Sequence, residues 1–98
     1  MLKLNQVDAL AREVATKHLA ALGVEDVASE PAVDSQGDEA LRITITIRSP
    51  DKIPGNGQQF LKTLTEIWGR LEEANDSRFP IIDYATQEEL GSVDDTES

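Results

Sequence analysis

The sequence has no cysteine, a single histidine and few aromatic residues, which make up 4% of its 98 residues. Without cysteine there is no disulfide framework, no thiolate nucleophile and no cysteine-bound zinc site. His18 is the only imidazole, so a metal site would have no second histidine. We therefore expect no cofactor and no metal, and the composition predicts a protein that is not an enzyme.

Long hydrophobic runs are also missing. No run of 18 apolar residues is present, and Met1-Leu2-Lys3-Leu4 leads at once into an amphipathic segment. A membrane span needs about 20 predominantly apolar residues, and a signal peptide needs a continuous apolar stretch behind its basic residues. These features predict a soluble, cytoplasmic protein with no membrane contact.

Basic residues are scarce. Lys and Arg number 9 against 19 Asp and Glu, which gives a net charge of -10. The surplus is uneven, since residues 76–98 hold one basic and seven acidic side chains, for a net charge of -6. Such a surface repels the phosphate backbone of nucleic acids and attracts basic proteins. Solubility alone is the other interpretation of this charge.

The segment from Leu41 to Arg48 carries the clearest structural signal. Apolar and polar residues alternate over eight positions, and most of them are β-branched, which is typical of a half-buried strand. We expect this strand to lie at the centre of an antiparallel sheet. One face would be buried, and the other would present Arg42, Thr44, Thr46 and Arg48.

Two segments have the apolar periodicity of amphipathic helices. The first is predicted to run from an N-cap at Asn5 to about Leu22, with Gly23 as its stop and His18 near the middle of its apolar face. The second is predicted from about Gln58 to Ala74. We expect His18 to be a structural residue, hydrogen-bonded to a carbonyl or a carboxylate. The second helix should supply the largest share of the core, through one arc that contains Phe60, Leu61, Leu64, Ile67, Trp68 and Leu71.

The remaining segments predict turns and further strands. Residues 27–33 resemble an edge strand, because Pro31 cannot donate to a ladder, and the turn at 34–39 would join it to the 41–48 strand as a hairpin. Gly55-Asn56-Gly57 is typical of a tight turn into a helix. Residues 79–85 form a third extended segment, and Thr86-Gln87-Glu88-Glu89 matches a capping box that predicts a short helix to Leu90.

The predicted fold class is α+β, in the element order α-β-β-α-(β). It forms a two-layer sandwich with both helices on one face of a small antiparallel sheet. Residues 1–90 would form a single domain. Residues 91–98 would form a disordered acidic tail.

The predicted function is a small acidic protein-interaction module that binds a basic protein, in the manner of an inhibitor or antitoxin, or a second copy of itself as a homodimer. The predicted contact residues are Phe79, Ile81, Ile82, Asp83, Tyr84, Arg42 and Arg48. The residues from Phe79 to Tyr84 are included because the apolar run at 79–84 cannot all face one core from a strand. Arg42 and Arg48 are included because they lie on the open face of the predicted sheet. The alternative is a small oligomeric enzyme or ligand-binding domain, which requires His18, Asp83 and Tyr84 to converge in one pocket.

Overall fold

The computed structural model describes residues 1–48 and 57–86. The predictions for Gly55-Asn56, for the short helix ending at Leu90 and for the 91–98 tail lie outside these ranges. The described elements are α1 (Leu4–His18), a 3₁₀ turn (Ala20–Leu22), β1 (Val24–Val33), β2 (Glu39–Ile47), α2 (Gln58–Glu73) and β3 (Phe79–Thr86). This order, with two helices packed on a three-stranded sheet, confirms the predicted α+β fold class.

β2 lies at the centre of the sheet, in the strand order β1-β2-β3. Leu41, Ile43, Ile45 and Ile47 are buried on the side that packs against the helices. The alternation that predicted this strand therefore also identifies its core-facing side. The open side of β2 carries Arg42, which is exposed, and Thr46, which is buried between neighbouring strands.

β1 and β2 form the predicted antiparallel hairpin, although β1 begins three residues earlier than predicted. Asp34 organises its turn, because the Asp34 carboxylate accepts hydrogen bonds from the backbone N–H groups of Gln36 and Asp38. Gly37 has a φ of 88°, a conformation that glycine adopts without a steric penalty. β1 is an edge strand, as Pro31 predicted.

The prediction of a wholly antiparallel sheet is wrong, because β3 pairs with β2 in parallel. The reason is the 16-residue helix α2 that connects them. A helix carries the chain back across the sheet, so the next strand starts from the same end as the previous one. The sheet is therefore mixed.

The bounds of the first helix also differ from the prediction. Lys3, not Asn5, is the N-cap, and the side chain of Gln6 accepts a hydrogen bond from the Lys3 backbone N–H. The α-helix ends at His18, and the 3₁₀ turn completes the path to Gly23. Gly23 has a φ of 74°, and a Cβ added to it would lie 3.1 Å from the Cβ of Arg48. The predicted stop at Gly23 thus closes the 3₁₀ turn instead of the helix.

The second helix matches its predicted bounds to within one residue, but its contribution to the core is smaller than predicted. Ile67 and Leu71 are fully buried, whereas Leu61 is 63% exposed and Trp68 is 42% exposed. α1 packs over β1 and against α2, while α2 packs over β3. No strand lies beyond β3 among the described residues, so the outer side of α2 has no sheet beneath it.

Candidate interaction surface

The open face of the sheet holds a three-strand charge cluster. Arg42 on β2 bonds the Asp83 carboxylate on β3 at 2.9 Å and lies 3.9 Å from the Glu30 carboxylate on β1. Arg48, just after β2, bonds Glu25 at 2.9 Å. Both arginines that were predicted as contact residues are thus paired with carboxylates of their own chain, and neither offers a free guanidinium to a phosphate.

β3 divides its predicted contact residues between two faces. Ile82 and Tyr84 pack against the core on the helix side, whereas Asp83 reaches Arg42 on the open side. The ring of Tyr84 meets Phe60 of α2 edge-on, with ring centroids 4.6 Å apart. Burial raises the pKa of Tyr84 to about 12, so this phenol stays protonated at neutral pH.

His18 lies in a charge cluster that links the two helices. Its Nε2 is 2.8 Å from Oε1 of Glu66, and a carboxylate only accepts hydrogen bonds, so Nε2 carries the proton. Lys17 and Arg70 also donate to Glu66. These hydrogen bonds, the largest effect coming from His18, lower the pKa of Glu66 to about 2 against the opposing effect of burial. This hydrogen bond to a carboxylate is of the kind that the sequence predicts for His18.

The three residues of the alternative site do not come together. Asp83 and Tyr84 point to opposite sides of β3, and His18 is held by Glu66 on α2. His18 lines a cavity with Leu61 and Lys62, whereas Tyr84 lines a different cavity on the β3 side. The arrangement therefore provides no pocket in which these groups could act on one ligand.

An apolar groove lies between β3 and the N-terminal half of α2. We call it the β3–α2 groove; it has a volume of about 440 Å³. All of its lining residues are apolar or aromatic: Phe60, Leu61, Leu64, Phe79, Pro80, Ile81, Ile82 and Tyr84. It includes four of the predicted contact residues, and it adds a helix wall that the sequence did not indicate as exposed.

The groove follows the free edge of the sheet. Among the described strands, β3 pairs only with β2, so its outer backbone groups face away from the sheet. The other free edge, β1, contains Pro31 and the carboxylates of Glu25, Asp26 and Glu30. Proline and charge are the features that discourage a second strand from adding to an edge. In β3 the proline is the second residue, and Asp83, the one charged residue of the strand, is paired with Arg42. Residues 81–85 of β3 are therefore less protected against an added strand than β1 is.

A second cavity continues the groove past the end of α2. We call it the Trp68 pocket; it has a volume of about 480 Å³ and is lined by Trp68, Glu72, Asn75, Asp76 and Ser77. Trp68 meets Phe79 edge-on, with ring centroids 5.0 Å apart. Since Phe79 also lines the groove, these two rings form the boundary between the groove and the pocket.

Asp76 forms the floor of this region and is already engaged. Its buried carboxylate accepts hydrogen bonds from the Leu2 backbone N–H and from the Arg78 side chain, the latter at 2.6 Å. The Arg78 guanidinium holds the pKa of Asp76 well below its usual range. Glu72 is different, because within the described ranges no basic side chain pairs with it. The free carboxylate of the Trp68 pocket is therefore that of Glu72.

A comparison of the chain with protein-family models, curated proteins and solved structures finds no match. Neither described helix is long and apolar enough to cross a membrane. In residues 1–48 and 57–86, no three His, Asp or Glu side chains are grouped so that they could hold a metal ion.

The sequence contains only a partial signal for the Trp68 pocket, and it was not enough to predict the pocket. Trp68 and Glu72 are four residues apart, the spacing of neighbours on a helix surface. The apolar arc of α2 spans both Leu61 and Leu71, and we assigned all of it to the core. The number of strands beneath a helix decides how much of such an arc is covered, and the sequence does not state that number.

Proposed function

We propose that this chain is a protein-interaction module of the cytoplasm that binds a basic protein at the β3–α2 groove. The observation that carries the proposal is an apolar groove beside a strand edge with which no other described strand pairs, on a chain of net charge -10. An extended segment that adds to a sheet edge gains main-chain hydrogen bonds, and adjacent pockets for its side chains supply specificity.

Charge selects the kind of partner. With 19 acidic and 9 basic residues, the surface accelerates the encounter with a positively charged protein. The pairing of Arg42 and Arg48 with carboxylates speaks against a nucleic-acid partner. Binding is favoured over catalysis because Asp83 and Tyr84 lie on opposite sides of β3.

A matched pair of variants tests the proposal. Leu61 in the groove is 63% exposed and Val33 at the end of β1 is 67% exposed, so Leu61→Ser and Val33→Ser each remove an exposed apolar side chain. Each protein serves as bait in a nuclease-treated lysate of the native host, and native mass spectrometry gives the mass and stoichiometry of what is retained. Burying a leucine contributes about 1.5–3 kcal/mol, so losing it should weaken binding at least tenfold.

We expect one stoichiometric basic protein on the unaltered chain and on Val33→Ser, lost on Leu61→Ser and at high salt. Equal retention by both variants would place the contact elsewhere and contradict the proposal. Recovery of the chain alone as a dimer that Leu61→Ser dissociates would show that a second copy, and not a basic partner, occupies the groove.

A further inference from the structure

The Trp68 pocket has the chemistry of a binding site for a cationic side chain. It brings together an exposed indole, the side chains of Asn75 and Ser77, and the Glu72 carboxylate, which has no basic partner among residues 1–48 and 57–86. Cations are attracted to the face of a tryptophan ring. They are also favoured at the C-terminal end of a helix, and α2 ends at Glu73.

The position of the pocket relates it to the groove. β3 begins at Phe79, and the Phe79 ring contacts Trp68. The groove runs along β3 from Phe79 to Tyr84, which is roughly 17 Å at about 3.3 Å per residue. An extended segment lying in the groove would thus place the side chain at one of its ends beside Trp68 and Glu72.

We propose that the basic partner docks as an extended segment along β3 and that an arginine of this segment enters the Trp68 pocket. Its alternate apolar side chains fill the groove, and its guanidinium lies on Trp68 and pairs with Glu72. Arginine suits the site better than lysine, because a planar guanidinium both stacks on an aromatic ring and pairs with a carboxylate in a fork geometry. This inference rests on the proposed function and names the chemistry of the partner.

The probe is a synthetic peptide, acetyl-Arg-Thr-Val-Thr-Val-Thr-Arg-amide, in which the valines and both arginines lie on one face of an extended chain. Its two arginines serve either strand direction. Binding to the full chain is measured by titration calorimetry. The first control peptide replaces both arginines by citrulline, which keeps the shape and removes the charge. The second replaces the central threonine by proline, which removes a ladder donor and leaves the groove-facing side chains unchanged. We expect both controls to bind more weakly than the probe.

Two protein variants test whether Glu72 is the carboxylate that pairs with the arginine of the peptide. Glu72→Gln and Glu73→Gln change adjacent residues, both exposed and both without a basic partner among the described residues, but only Glu72 lines the pocket. We expect Glu72→Gln to weaken the binding of the arginine peptide about tenfold, because a hydrogen bond between a guanidinium and a carboxylate is stronger than one to a neutral amide. The binding of the citrulline peptide should be unchanged. Glu73→Gln should change binding by less than about twofold.

Equal losses from Glu72→Gln and Glu73→Gln would show that only the net charge matters and would overturn the inference. Absence of binding by the probe to the unaltered chain would do the same. Either result leaves the proposed function to the Leu61 and Val33 variants, which do not depend on the pocket.

Residues 87–98 follow β3 directly and carry five acidic residues and no basic ones. Deleting residues 87–98 should weaken the binding of the probe peptide, because the chain loses five negative charges that attract the peptide. Tighter binding after the deletion would show that this segment itself occupies the groove, and it would overturn the assignment to an external partner.

Discussion

At the scale of single residues, Asp76 is the side chain that connects the segment before α1 to the segment before β3. It joins the N-terminal Leu2, 74 positions away, to Arg78 at the start of β3. Asp76 is 1% exposed. Its carboxylate accepts hydrogen bonds from the Arg78 backbone N–H and from the Arg78 guanidinium. Removing one member of a buried ion pair leaves an uncompensated charge, which is strongly destabilising.

We therefore expect Asp76→Asn to lower the free energy of unfolding by about 3 kcal/mol, since it leaves the Arg78 charge buried without its partner. Urea unfolding at neutral pH measures the loss. Asp83→Asn is the matched control, because the Arg42–Asp83 pair is about half exposed and such pairs contribute less than about 1 kcal/mol. Similar losses in the two variants would contradict the role given to Asp76.

The role of His18 could be predicted from the sequence, whereas the role of Asp76 could not. His18 was predicted to bond a carbonyl or a carboxylate, because a polar ring on an apolar helix face requires a partner, and Glu66 provides it. The sequence pattern marks Asp76 only as a residue that follows the predicted end of the second helix at Ala74. Its importance depends on a partner at the opposite end of the chain, and no local pattern contains that information.

At the scale of elements, Glu66 links α1 to α2. It accepts hydrogen bonds from Lys17 and His18 on α1 and from Arg70 on its own helix. Its pKa of about 2 in the folded chain lies below the ordinary value of 4.5. A lowered carboxyl pKa stabilises the fold above the unfolded-state pKa, and this contribution is lost as the pH falls through the folded-state pKa.

The lowered pKa of Glu66 predicts that the stability supplied by this residue depends on pH. The unaltered chain should have a higher unfolding midpoint than Glu66→Gln at pH 6, and the difference should shrink steadily as the pH falls from about 4.5 to about 2. Thermal unfolding followed by circular dichroism at several pH values measures it. Glu73→Gln, on the same helix but outside the cluster, should show no such trend. A Glu66→Gln difference that stays constant over this range would disprove the link.

Most of the fold at this scale could be predicted, and the exceptions have physical causes. The alternation in β2 and the apolar arcs of both helices specify their own secondary structure, whichever neighbours they have. The parallel pairing of β3 was missed, although a helix between two strands favours it. The exposure of Leu61 and Trp68 could not be predicted, because it depends on the sheet ending at β3.

At the scale of the whole molecule, charge and apolar surface have separate locations. The groove lining contains no charged residue, whereas the chain as a whole carries a net charge of -10. The β3 side of the candidate surface, from Phe79 to Tyr84, could be predicted from the sequence. Successive side chains of a strand point to opposite faces, so consecutive apolar residues cannot all be buried in one core. The α2 side, including the Trp68 pocket, required the packed structure.

This separation predicts that charge mainly affects the rate of association, and that apolar contacts mainly affect the rate of dissociation. Long-range attraction acts on the encounter and is screened over about 10 Å at 0.1 M salt, while buried contacts mainly determine dissociation. For the arginine peptide, raising the salt from 0.05 M to 0.5 M should slow association severalfold and change dissociation less. Leu61→Ser should do the reverse, with faster dissociation at an unchanged association rate, and surface plasmon resonance separates the two. If Leu61→Ser slowed association as strongly as salt does, the apolar groove and the acidic field would not be the independent determinants that their separate locations imply.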